Sequence, residues 1–225
     1  MDVHHLLEAA GILAFGVLFY SSSYGWYRGG GRRERLARLA LNGLVFGGLA
    51  VTLMVARIQV DDGVFIDPRA VPIALVGLFE GWPSALAAAA VAMAYRGWLR
   101  GSGMWAGIAS TLASAVAAGL VHAWARREGG VRPRHAFALG GAVFAAAFLG
   151  FLMLGRRGLA LFGATWPYRL VAYVVGVGLL ARFFHDTVER ARLDDAQRRF
   201  RALIDDASDA IRIVDRGTGR VVEAN

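Results

Sequence analysis

Residues 70–98 read AVPIALVGLFEGWPSALAAAAVAMAYRGW, and the way this stretch folds decides the architecture of the chain. It is apolar enough to enter a membrane, yet Glu80-Gly81-Trp82-Pro83 sits in its middle, where proline cannot continue an ordinary helix. Its halves, Val71–Phe79 and Ser84–Tyr95, are each shorter than the roughly 20 helical residues needed to cross a hydrocarbon core. Two readings are open: a broken, re-entrant helical hairpin, or one long kinked helix that makes a sixth crossing. Non-helical backbone at membrane depth survives only when packed in protein or lining a cavity, so the hairpin reading also points to a binding site.

Five other runs are nearly free of charge: Leu6–Tyr27, Leu39–Ala56, Met104–Ala125, Ala136–Leu154 and Gly163–Phe184. Each has about 18 to 22 residues, the length of a membrane span. Hydrophobic residues make up 56% of the chain and mean hydropathy is +0.46, too apolar for a soluble domain of this size. The expected fold is therefore an all-α integral membrane bundle, with five spans plus the hairpin, or alternatively six spans.

The arginines favour the first. One loop carries Arg28, Arg32, Arg33, Arg35 and Arg38; another carries Arg126, Arg127, Arg132 and Arg134; the C-terminal tail is also arginine-rich. Basic loops stay in the cytoplasm, and all three can do so only if residues 70–98 return to the side they entered from. The N-terminus then lies outside. The opening Met1-Asp2-Val3-His4-His5 has no basic region, so no cleaved signal peptide is expected.

Composition removes several chemistries. With no cysteine there are no disulfides or thiolate sites, and every basic residue is arginine, which removes lysine-based catalysis. The net charge of +8 does not mark a nucleic-acid binder, because its excess sits in loops of the membrane part, beside lipid headgroups. His4 and His5 at the terminus do not make a metal site, and Gly29-Gly30-Gly31 lacks the lysine and hydroxyl of a phosphate loop. No catalytic constellation, metal or cofactor is expected, and this segment reads as non-enzymatic.

Charges at the membrane boundary are the candidate functional residues. Asp67-Pro68-Arg69 opens the hairpin segment and Tyr95-Arg96 closes it. On one continuous helix the two arginines would be about 40 Å apart. On a hairpin they become neighbours, and two guanidinium forks at the mouth of a pocket suit a carboxylate or similar small anion. Interfacial anchoring to headgroups is the alternative. In the next span Gly107, Thr111, Ala115 and Gly119, and likewise Ala106, Ser110, Ser114 and Ala118, form small-residue rows suited to close helix packing. Ser110 and Thr111 are placed to reach a ligand near Arg96. Gly43 and Gly47 form a small-xxx-small motif that could support a dimer. Asp61-Asp62-Gly63 reads as a solvated turn.

Three segments together resemble a known family. Val64-Phe-Ile-Asp-Pro-Arg69, Pro72-Ile-Ala-Leu-Val-Gly-Leu-Phe-Glu-Gly81, and Ala94-Tyr-Arg96 with the turn Gly101-Ser-Gly103 are similar to the LytS-type five-transmembrane receptor domain. The resemblance implies a sensory input domain of bacterial histidine kinases or diguanylate cyclases, in the inner membrane. Some members respond to pyruvate through two arginines matching Arg69 and Arg96 and a serine matching Ser110. The position matching Gly107 can carry a thiol in pyruvate sensors, so the glycine here keeps an anion site but separates the expectation from pyruvate itself.

The tail divides further. Residues 1–184 are expected to be the membrane domain, residues 185–206 a cytoplasmic signalling helix, and residues 207–225 the start of a PAS domain that the sequence leaves incomplete. Phe200–Asp215 and Gly217–Asn225 resemble a PAS opening, with short strands at Ala210–Val214 and Val221–Glu223. Ala196, Phe200, Leu203 and Ala207 follow coiled-coil spacing, while Phe184, Val188 and Ala191 keep a similar spacing out of phase with them; a signalling helix whose register shifts and an ordinary surface helix both fit. The expected partners are a small anion, the bilayer and a second copy. The competing functions are a transporter-like binding protein and a passive dimerising anchor.

Overall fold

The structure is a computed structural model and describes residues 11–16, 18–20, 32–55, 58–61, 64–205, 212–214 and 221–224. His4, His5, Gly29–Gly31, Asp62–Gly63, the ends of the Leu6–Tyr27 run and most of the PAS-like tail lie outside these residues. In chain order the helices are α1 (Gly11–Tyr20), α2 (Arg32–Val55), α3 (Ala70–Glu80), α4 (Trp82–Leu99), α5 (Met104–Arg127), α6 (Pro133–Leu152), α7 (Gly155–Leu170) and α8 (Gly176–Asp205). A π-helical turn, Val171–Val175, joins α7 to α8 without a break. Four helical stretches are long and apolar enough to cross a membrane: Arg32–Val55, Met104–Arg127, Pro133–Leu152 and Gly155–Thr187.

The bundle is helical, as expected, and the connection between α2 and α3 carries a small antiparallel hairpin, β1 (Ile58–Asp61) with β2 (Val64–Ile66), pairing Ile58 with Ile66 and Gln59 with Phe65. β-Branched residues alternate along both strands, Ile58 and Val60 in the first and Val64 and Ile66 in the second, a pattern suited to strand pairing. The chain forms two compact units, Met1–His185 and Asp186–Asn225. The second holds the last part of α8 and an antiparallel pair of strands, β3 (Arg212–Val214) and β4 (Val221–Ala224).

Residues 70–98 fold as a hairpin, and its break is a single residue. Gly81 has φ +85°, a conformation that an L side chain rarely adopts, and a Cβ there would meet the His122 ring at 2.9 Å. Pro83 does not interrupt a helix here, as its place in the sequence suggests. It lies in the first turn of α4, where its missing N–H costs nothing. The second half is consequently longer than the expected Ser84–Tyr95.

Close contacts set the direction of each limb. The Ser84 hydroxyl donates to the Leu39 carbonyl at 3.0 Å. A Cβ at Gly43 would meet Ala87 Cβ at 2.5 Å, and one at Gly47 would meet Val91 Cβ at 2.8 Å. Partners that rise together along both helices mean that α4 runs parallel to α2. By the same register Arg96 is level with Thr52, about one turn from the end of α2. Gly43 and Gly47 are therefore consumed by packing inside the protomer and do not offer the dimer face their motif suggests.

The small-residue rows of α5 receive the hairpin. A Cβ at Gly77 would meet Ala118 Cβ at 2.5 Å, and the Trp82 ring lies against Gly119. Helices α6 and α7–α8 run antiparallel, because Phe151 meets Phe162 while Phe137 meets Gly178. Residues 155–205 are continuously helical, so the helix that holds the Gly163–Phe184 run begins earlier and runs on past it. Once Pro167 removes an N–H inside the helix, the π turn takes up the irregularity.

Candidate functional site: a three-arginine cavity

A cavity of about 50 Å³ opens between the base of the hairpin and helices α5 to α7. In that measure it holds roughly three to five water-sized positions. Asp67, Arg69 and Ala70 reach it from the start of α3 and Arg96 from α4. Helix α5 contributes Gly103, Ala106, Gly107, Ser110, Thr111 and Ser114. Val143, Ala147, Gly150, Phe151 and Leu154 close the α6 side, and Arg169 with Tyr173 completes the lining.

The hairpin makes neighbours of Arg69 and Arg96. A Cβ at Gly107 would lie 2.8 Å from Arg69 Nη2 and 2.8 Å from Arg96 Nε. Both guanidinium groups therefore lie over the same backbone atom of α5, and any side chain at 107 would displace them. The long kinked helix, with its arginines about 40 Å apart, is excluded. Arg96 is 3% exposed, so a cation is held inside the bundle, where a charge is costly unless something compensates it.

Asp67 is buried and turned toward Arg69. Its carboxylate accepts from the Arg69 backbone N–H at 3.2 Å and pairs with Arg69 Nη1 at 3.4 Å. Its carbonyl accepts from the Tyr173 hydroxyl at 3.4 Å, tying the hairpin base to the π turn. Ser110 and Thr111 both donate to the Gly107 carbonyl, at 3.1 and 2.7 Å, and Ser114 donates to the Ser110 carbonyl at 2.8 Å. Such back-bonded hydroxyls can turn their proton toward a ligand at small cost. All six residues that the sequence singles out, Asp67, Arg69, Arg96, Gly107, Ser110 and Thr111, line this one cavity.

Sequence reasoning misses Arg169. It lies inside the run Gly163–Phe184, which reads from the sequence only as a span, and is 4% exposed. Its Nε donates to the Thr165 hydroxyl at 3.2 Å, and that hydroxyl donates to the Leu161 carbonyl at 2.7 Å. The guanidinium carbon sits 4.3 Å from the centre of the Phe151 ring. The signal that could find it is an arginine in the middle of a span, two residues after Pro167; intramembrane charge of this kind marks function by default.

The other end of the hairpin is also polar. The Glu80 carboxylate is held by the Tyr20 hydroxyl, by Arg38 at 3.4 Å and by Asn42 at 3.4 Å. His122 Nδ1 lies 2.8 Å from the Leu78 carbonyl. Beside them Phe184 of α8 stacks on Phe79 with centroids 4.2 Å apart and lies 4.4 Å from Tyr20. The hairpin and the α7–α8 helix thus meet at both ends, through Asp67 and Tyr173 near the cavity and through Phe79 and Phe184 at the tip.

No curated protein and no solved structure shows significant similarity to the chain. A family match covers residues 29–186, which contain the whole hairpin, the cavity and the tip cluster. The chain belongs to the family described as 5TM-5TMR_LYT, the 5TMR of 5TMR-LYT, and is a multi-pass membrane protein with the transmembrane sensory domain of signalling proteins.

Proposed function

We propose that this chain is the input module of a bacterial signal-transduction protein and binds a small anion, with a carboxylate as the first class to test, in the cavity at Arg69 and Arg96. The observation that carries the reading is the convergence of both guanidinium groups over Gly107 inside an apolar bundle. The module makes five crossings, counting α1, with the hairpin entering from outside and the C-terminus in the cytoplasm of an inner-membrane protein. Residues 1–184 sense, residues 185–206 carry the signal, and residues 207–225 begin a PAS domain. The PAS domain in turn drives a histidine kinase or a diguanylate cyclase, and residues 1–225 have no catalytic role of their own. A homodimer would cover Ala196 and Phe200, both exposed on α8 with Phe200 at 53%.

Signalling follows from the two connections between cavity and tip. A ligand that draws the arginines together favours one arrangement of the hairpin against α7–α8, and Phe79 passes that preference to Phe184. A tenfold difference in affinity between two arrangements shifts their balance by about 1.4 kcal/mol.

Thermal unfolding of the purified chain with small carboxylates tests the site. Stabilisation should grow with ligand concentration and disappear in both Arg69→Ala and Arg96→Ala. A full carboxylate response from Arg96→Ala would overturn the assignment.

A further inference from the structure

We infer that the cavity takes a small dicarboxylate, with Arg169 receiving the carboxylate that Arg69 and Arg96 do not; this rests on the anion site proposed above. Two walls of the cavity carry guanidinium groups. Arg69 and Arg96 belong to the hairpin and lie over Gly107, whereas Arg169 belongs to α7 and lies beside Phe151. Asp67 gives its carboxylate to Arg69, and among the described residues Arg169 has no ion pair. Arg169 Nη2 is buried and finds no hydrogen-bond acceptor among the described residues.

That orphaned donor is the second pole. A buried guanidinium N–H without an acceptor is destabilising, because its desolvation is not repaid by a hydrogen bond. The protein nevertheless orients this one from two sides, by the Thr165 hydroxyl and by the Phe151 ring. A monocarboxylate engaged at Gly107 would leave Nη2 as it is. A ligand with an acceptor at each end satisfies both walls at once. The cavity, at about 50 Å³, limits that ligand to a diacid of roughly two to four carbons.

The test is thermal unfolding of the full chain in detergent, titrated separately with malonate, acetate, pyruvate and sulfate. Malonate should half-saturate at about a tenfold lower concentration than acetate or pyruvate. Arg169→Gln should bring malonate to within about threefold of the monocarboxylates, while Arg169→Lys keeps part of the difference. Thr165→Val, which leaves the arginine but removes the group that orients it, should weaken malonate alone and serves if Arg169→Gln does not fold. Malonate no better than acetate, or a malonate advantage that survives Arg169→Gln, overturns the inference and leaves the anion site standing. Sulfate acting as well as malonate overturns the two-ended ligand. No response to any of the four overturns both this inference and the anion site.

Discussion

The two ends of the hairpin hold similar groups in opposite states. At the tip, Glu80 has a side chain only 4% exposed and is met by Tyr20, Arg38 and Asn42, so the chain itself supplies its partners. At the base, Arg169 is just as buried, yet one of its nitrogens has no acceptor among the described residues. Intramembrane charge alone therefore does not distinguish a ligand site from a structural clasp. The ion pair does. Each end leaves a buried polar atom without a hydrogen bond among the described residues, Asn42 Oδ1 at the tip and Arg169 Nη2 at the base, but only Glu80 has an opposite charge beside it.

The largest expected effect breaks the clasp. Glu80→Gln removes the charge that pairs with Arg38 while the amide keeps the shape. Losing one partner of a buried pair costs about 3–5 kcal/mol, but Arg38 is partly exposed, and about 2 kcal/mol is expected. Arg169→Gln in the absence of ligand should cost less than about 1 kcal/mol or stabilise, because it removes a group that the fold leaves incomplete. Denaturation of both variants in the same detergent measures the contrast. Equal losses would mean that the two ends do not differ in the way their ion pairing indicates.

A second test, of similar size, concerns how Arg169 and Tyr173 are positioned. Gly140 and Gly141 are adjacent on α6. A Cβ at Gly140 would lie 2.6 Å from the Tyr173 carbonyl oxygen, whereas one at Gly141 meets nothing within 4 Å. Gly140→Ala must push the π turn away and should cost about 1–3 kcal/mol with a weakened carboxylate response. Gly141→Ala should stabilise by about 0.5–1 kcal/mol through helix propensity alone and leave the response intact. A loss of response in both variants would disconnect the π turn from the cavity.

These contacts show what can be read from the sequence. The hairpin is legible because two independent signals agree, the Glu80–Pro83 interruption and the placement of the arginines. Arg69 and Arg96 follow from it, since folding the segment back brings its charged ends together. Arg169 is hidden by averaging: Arg169 and Arg182 among twenty other, mostly apolar residues leave the run Gly163–Phe184 hydrophobic enough to read as a plain span. The π turn is only half legible, because Pro167 marks an irregular helix but the turn also depends on Gly140 allowing the Tyr173 carbonyl to approach. The role of Gly43 and Gly47 is misread from sequence for a related reason. A small-residue motif states that something packs closely, but not whether the partner is another copy or, as here, α4 of the same chain.

A third charged cluster, centred on Glu128 in the turn between α5 and α6, gives the comparison a partly exposed reference. Glu128 follows α5 and accepts from Trp124 Nε1 at 2.8 Å, pairs with Arg134, and lies 2.9 Å from His135 Nε2. The Arg132 backbone N–H donates to His135 Nδ1 at 3.0 Å, which leaves the proton on Nε2 to be donated to Glu128. Desolvation pulls the Glu128 carboxyl upward, but the hydrogen bonds from Trp124, Arg134 and His135 outweigh it and hold the group below its ordinary value of 4.5. A carboxyl depressed in the folded state adds stability above its unfolded pKa. That contribution fades as pH falls from near 4.5 through the lower folded value. Glu128→Gln should therefore lower the unfolding temperature slightly at about pH 7 and by less at about pH 3, the smallest effect of the three because the carboxylate and Arg134 both reach solvent. If the variant and parent differ equally at both pH values, the cluster contributes through packing of the α5–α6 turn, and the buried clasp at Glu80 becomes the only one of the two whose charge carries stability.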